Sequence, residues 1–136
     1  MPPSVLSSSI AAFEKSGGPY VVYSACRARA ILRKYNRPLP EAAGIASFDV
    51  NDQEAQLILK LLEYPEKVVK AADEDNPSIL VRHLLDIAVI YNSYYANVPI
   101  LEGDRANEFR SLITKSVQTV LINGLRRCHV ECPPKI

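Results

Sequence analysis

Asn76-Pro77-Ser78-Ile79-Leu80-Val81-Arg82-His83-Leu84-Leu85-Asp86-Ile87-Ala88-Val89-Ile90-Tyr91-Asn92-Ser93-Tyr94-Tyr95 is the stretch that decides the fold. Leu80, Leu84, Ile87, Ala88, Tyr91 and Tyr95 recur at three-or-four spacing, which lines them up on one face of an α-helix. The opening fits: Asn76 is a good cap, and Pro77 loses nothing at the first helical position, where an N–H has no intrahelical partner. This helix reaches the loop at 97–103 and is expected to be central.

The flanking segments read the same way. On the N-terminal side, Asn51-Asp52-Gln53-Glu54 has the form of a capping box and opens a helix expected to bury Leu57, Ile58, Leu61 and Leu62. Pro65 interrupts that pattern, and a short helix carrying Val68, Val69 and Ala72 follows. Earlier still, Gly17-Gly18-Pro19 starts a helix that runs to about Tyr35, with Val21, Ala25, Ala28, Leu32 and Tyr35 as its core face. A short helix near 5–15, with Leu6, Ile10 and Phe13 on one side, precedes it. Residues 36–51 hold Pro38, Pro40 and Gly44 without a lasting period and read as a surface loop. The last long helix, near 105–127, is expected to bury Phe109, Leu112, Ile113, Val117, Val120, Leu121 and Leu125, and Pro133-Pro134 stops any continuation. No β-alternation competes, so the fold class is an all-α helical bundle.

With 136 residues, 48% of them apolar, the chain fits one domain with a modest core. The net charge of +1 excludes a strongly basic field over the whole protein, so a polyanion site needs local segregation of charge. That segregation is present. From Gly17 to Pro40 the charged residues are Arg27, Arg29, Arg33, Lys34 and Arg37, while most acids lie between Glu41 and Glu108. No apolar run approaches the roughly 20 residues a bilayer demands, and Met1-Pro-Pro-Ser lacks the start of a signal peptide, so a cytoplasmic location without membrane association is expected. Cys26, Cys128 and Cys132 are odd in number and are read as free thiols.

On the first long helix Tyr20, Tyr23, Arg27 and Lys34 fall in one narrow stripe, about a third of a turn from the core face. Aromatic rings beside a guanidinium can stack unpaired bases and hold a phosphate. The plainer reading is that the tyrosines cap the edge of the core beside solvated arginines. A second aromatic group closes the central helix: there Tyr91 and Tyr95 repeat the buried period, leaving Asn92 and Tyr94 as exposed donors. Cys128-His129-x-x-Cys132 offers three soft ligands where a closed zinc site takes four, so no metal is expected. Phosphate-loop, Gly-x-Ser-x-Gly and histidine-paired nucleophile patterns are missing, and no cofactor is expected. Asp86 reads as a helix-face contact, and Asp73-Glu74-Asp75 as a solvated turn.

Taken together, several segments resemble the C-terminal DALR anticodon-binding domain of arginyl-tRNA synthetase. They are Gly18-Pro19-Tyr20 with Tyr23, Arg27 and Ile31-Leu32-Arg33-Lys34; then Leu61-Leu62-Glu63-Tyr64-Pro65-Glu66-Lys67-Val68-Val69; then Leu84-Leu85-Asp86-Ile87-Ala88 with Tyr91-Asn92-Ser93-Tyr94-Tyr95. Val120-Leu121-Ile122-Asn123-Gly124-Leu125 and the ending Pro133-Pro134-Lys135-Ile136 complete the set. The similarity covers essentially everything after Ala12, in order, and it moves the stripe from core edge to RNA face. It implies a single anticodon-binding-like domain over 1–136, with a short N-terminal helix in 1–16 and the DALR-like region in 17–136. It also implies RNA contacts at Tyr20, Tyr23, Arg27, Lys34, Asn92, Tyr94, Lys135 and Ile136, as bases of a single-stranded loop splay onto aromatic side chains. The family commonly has glutamine at the position of Val22, histidine at that of Ala25 and a terminal methionine at that of Ile136. The expected partners are tRNA, through the tRNA(Arg) anticodon stem-loop, and a separate catalytic subunit or tRNA-handling enzyme. His-Ile-Gly-His-type and Lys-Met-Ser-Lys-type elements are missing, so no aminoacylation is expected from this chain alone. The competing expectation is a helical protein–protein interaction module that has lost RNA binding.

Overall fold

Asn76 caps the central helix as its sequence suggests: its side-chain oxygen accepts from the Ser78 N–H at 3.1 Å, and its carbonyl accepts from the Ile79 N–H at 3.2 Å. The computed structural model describes residues 17–36, 38–39, 50–97 and 105–128, of which 97 and 105–107 are described in their backbone alone. Within them lie five helices and no strand: α1 (Gly18–Tyr35), α2 (Asp52–Leu62), α3 (Tyr64–Asp73), α4 (Pro77–Asn97) and α5 (Arg105–Arg127). The expected helix at 5–15, most of the loop at 36–51, Pro133-Pro134, Lys135 and Ile136 lie outside the described residues.

Helix α4 packs against all four others, and α1 and α5 form the largest single helix pair. Side-chain contacts fix the directions. Gly17 lies beside Leu85 and Arg27 beside Asn92, so α1 runs alongside α4 in the same sense. Tyr91 reaches Thr114 while Gly124 meets Leu84, so α5 runs against it. Gln53 bonds Ser93 while His83 bonds the Lys60 carbonyl, so α2 is also antiparallel. Tyr64 at the start of α3 donates to Asn123 at 2.5 Å, and Arg127 donates to the same oxygen at 3.1 Å, which ties α3 to the end of α5.

The core is built from α4 residues Leu80, Val81, Leu84, Ile87, Ala88, Tyr91 and Tyr94. Against them pack Val21, Ala25, Ala28 and Ile31 of α1, Leu57 of α2, and Phe109, Ile113, Val117, Leu121 and Leu125 of α5. Apolar burial of this kind stabilises at roughly 25 cal/mol per Å² removed from water. Two expected core residues, Leu32 and Leu61, are only half-buried; on α1 the buried face turns toward Ile31 instead. Leu62 is 70% exposed because it lies about a quarter turn from the middle of the Glu54, Leu57, Ile58, Leu61 stripe that faces α4. On α3 the buried position is Ala71, with Val69 and Ala72 in solvent and Val68 packed at the core edge.

The capping box at the start of α2 is complete, with Asn51 Oδ1 accepting from the Glu54 N–H at 2.8 Å and Glu54 Oε1 accepting from the Asn51 N–H at 2.9 Å. Its acid has a second role. Glu54 is buried, and its other oxygen accepts from the Tyr94 hydroxyl at 2.8 Å and lies 3.7 Å from Arg110 Nε.

Candidate nucleic-acid interface

Gly17 begins the candidate face. It holds φ 79°, a left-handed conformation open to glycine, and Pro19 follows in the first turn of α1. From there the helical period brings Tyr20, Tyr23, Arg27 and Lys34 to the surface, with the two tyrosines 40% and 46% exposed and no acid in the helix. Lys34 lies seven residues beyond Arg27, roughly 10 Å along the axis, and is exposed.

The last turns of α4 complete the face. Arg27 Nη1 donates to Asn92 Oδ1 at 2.8 Å, its Nη2 donates to the Tyr23 hydroxyl, and the guanidinium carbon lies 4.7 Å from the ring centroids of both Tyr23 and Tyr95. Asn92 is held in turn, since its Nδ2 donates to Ser24 Oγ at 2.7 Å and the Ser24 hydroxyl donates to the Tyr20 carbonyl at 2.9 Å. Six residues from two helices are therefore linked: Tyr20, Tyr23, Arg27, Asn92 and Tyr95 reach the surface, and Ser24 lies buried beneath them.

The expectation for the two adjacent tyrosines is reversed. Tyr94 is fully buried, bonded to Glu54 and tilted against Tyr91 with ring centroids 6.4 Å apart, whereas Tyr95 is 41% exposed. Burial and the bond to Glu54 push the Tyr94 hydroxyl well above the ordinary tyrosine range, so it stays a proton donor in the core. Tyr94 therefore has no surface to offer a ligand, and Tyr95 takes its place beside Arg27. Asn92 is half-buried, and both amide atoms are engaged within the protein.

Tyr95 at the surface and Ser24 beneath it are the members of this group that the sequence reading did not single out. A signal for Tyr95 existed: the buried positions step 80, 84, 87, 91, alternating four and three, and the next step of three falls on Tyr94 and releases Tyr95. Ser24 carried none, because a serine inside a helix usually bonds only its own turn.

Among the described residues no group of three or more His, Cys, Asp or Glu is placed to hold a metal ion, and no helix is long and apolar enough to cross a membrane. Cys26 and Cys128 are buried free thiols, and burial pushes the Cys128 thiol up to about 11. His129 and Cys132 lie outside the described residues.

Comparison with known proteins agrees with the geometry. A family model described as the DALR anticodon binding domain matches residues 21–136. The chain is 36% identical over 130 residues to an arginine–tRNA ligase of Methanococcus aeolicus, and 40% identical over 125 residues to one of Lactiplantibacillus plantarum; each match covers 91% of this chain and 22% of the relative. Among solved structures, the arginyl-tRNA synthetase of Thermus thermophilus superposes with a TM-score of 0.77 at 31% identity, again over 91% of this chain and 22% of the other. The chain thus spans about a fifth of the length of the curated relatives it matches.

Proposed function

The chain belongs to the DALR anticodon-binding domain family, and from that premise we propose that it binds the anticodon stem-loop of tRNA, tRNA(Arg) in particular, through Tyr20, Tyr23 and Tyr95. The observation that carries this reading is the pair of exposed tyrosines, Tyr23 and Tyr95, set against one arginine, with Tyr20 exposed further back on the same helix and no carboxylate anywhere on α1. Unpaired bases stack on rings of this kind, and loop nucleotides are the part of a tRNA whose bases are free to do so. Lys34, exposed farther along the same stripe, is placed in this reading against the phosphate backbone. Lys135 and Ile136 are assigned to the same ligand by resemblance alone.

In this reading residues 1–136 contribute recognition of the tRNA, and the chemical step belongs to residues outside them, whether in a longer synthetase, a separate catalytic subunit or another tRNA-handling enzyme. One domain over 1–136 is proposed to carry the whole of that role.

Binding of a labelled tRNA(Arg) anticodon stem-loop, measured across a salt series, tests the proposal. Affinity should fall linearly with rising salt on logarithmic axes, as phosphate contacts demand. An RNA affinity that is undetectable, or indifferent to salt, would replace the reading with a helical protein–protein interaction module.

A further inference from the structure

We infer that Arg27 is a positioning residue for base stacking and not a ligand for phosphate: its guanidinium fixes the pose of the Tyr23 and Tyr95 rings, and Asn92 fixes the guanidinium. The inference rests on the stem-loop reading above and adds a division of labour within that face.

A guanidinium is planar and carries five N–H donors in a fixed fork. Here one arm of the fork is taken by Asn92 Oδ1 at 2.8 Å and another by the Tyr23 hydroxyl. Its carbon lies at the same distance, 4.7 Å, from the Tyr23 and Tyr95 ring centroids, so a single cation from α1 is shared between the aromatic edges of α1 and α4. Two of its five donors are thereby committed inside the protein and both rings lie beside it, so the pose of the guanidinium is set before any ligand arrives.

Asn92 is itself pinned. Its Nδ2 donates at 2.7 Å to Ser24 Oγ, which is buried, and Ser24 donates at 2.9 Å to the Tyr20 carbonyl. A continuous run of hydrogen bonds therefore leads from the Tyr20 backbone through Ser24, Asn92 and Arg27 to the Tyr23 hydroxyl. Exposed tyrosines that must be ordered by their ligand bind weakly, and rings held in place beforehand avoid that cost. Lysine cannot substitute, because an ammonium is a compact charge without the planar fork that bonds an amide while lying against a ring.

The test compares stem-loop binding over a salt series for the parent chain, Arg27→Lys, Arg27→Ala and Asn92→Ala, with each variant first shown to be folded by circular dichroism. All three variants should bind roughly tenfold more weakly, as loss of one ordered stacking contact implies. The salt slope of Arg27→Ala should equal that of the parent. Parent-like affinity in Arg27→Lys overturns the inference, and so does a slope reduced in Arg27→Ala by about 0.7 to 0.9, the decrement of one lost phosphate contact. If the parent shows no salt-sensitive binding, the stem-loop reading has failed on its own terms. The pose is then read in the free protein, where the Tyr95 ring proton resonances should move in Arg27→Lys and Asn92→Ala; unmoved resonances overturn the positioning role.

Discussion

Gly124 and Leu84 meet so closely that a β-carbon on the glycine would stand 2.6 Å from one Leu84 methyl and 2.7 Å from the other. Leu84 is fully buried on α4 and has nowhere to retreat. Gly124→Ala gains about 1 kcal/mol of helix propensity on α5, against overpacking that costs typically 1–3 kcal/mol. Net destabilisation is the expected outcome in a urea titration. In a Leu84→Ala background the same substitution should become neutral or stabilising, because the obstructing methyls are gone.

Tyr94→Phe tests the buried half of the tyrosine pair. It leaves a Glu54 carboxylate oxygen in the core without its hydroxyl donor, at an expected cost of about 1–3 kcal/mol in unfolding free energy. Stem-loop binding measured well below the unfolding transition should be unchanged.

The exposed tyrosines should behave in the opposite way. Tyr20→Ala, Tyr23→Ala and Tyr95→Ala should each weaken stem-loop binding by about 1–3 kcal/mol through lost stacking, with small effects on stability. Lys67→Ala and Lys70→Ala, on α3, are the controls and should bind as the parent does.

His83 predicts a pH dependence. It is buried, its Nε2–H donates to the Lys60 carbonyl at 3.0 Å, and its Nδ1 has no hydrogen-bond partner. Burial holds the folded-state value below the ordinary 6.5, helped by the Lys60 and Lys67 charges and opposed by the Lys60 carbonyl and Glu63. The unfolded chain therefore takes up the proton at higher pH than the folded one. The stabilising contribution is fully present above about pH 6.5 and is lost progressively as the pH falls below it. Urea midpoints at pH 7.5 and 5.5 should separate in the parent and draw together in His83→Gln, whose amide can keep the bond to Lys60.

Thiol accessibility checks the packing around the two described cysteines. Both are buried, so in native protein neither Cys26 nor Cys128 should react with a chromogenic disulfide reagent on the timescale of an exposed thiol, and both should become reactive on unfolding.

The helices were legible because their signals are local. The Asn51–Glu54 box, the Asn76-Pro77 start and the three-or-four spacing of Leu80, Leu84 and Ile87 need only neighbouring residues, and the helices formed where those signals stand. What stayed hidden depends on partners far along the chain. Tyr94 is drawn inward by Glu54, 40 residues away, and Arg27 is fixed by Asn92 at a separation of 65. No period within one helix reports either contact. The expected stripe on α1 could thus be read from spacing, and the four-three alternation through 80, 84, 87 and 91 pointed to Tyr94 as the inner ring, while the contacts that hold Tyr94 inward and Tyr95 beside Arg27 lie outside any one helix.

Glu54 joins two levels of order that usually separate. One carboxylate oxygen closes the first turn of α2 and the other is held by a core tyrosine, so the helix end cannot fray alone. Fraying ends normally exchange their amide hydrogens through small local openings, whereas core amides wait for larger ones. Here the Asn51 and Glu54 amides are fastened to the interior. They should exchange with deuterium as slowly as the amides around Tyr94, making the entrance to α2 part of the last cooperative unit to open and not the first.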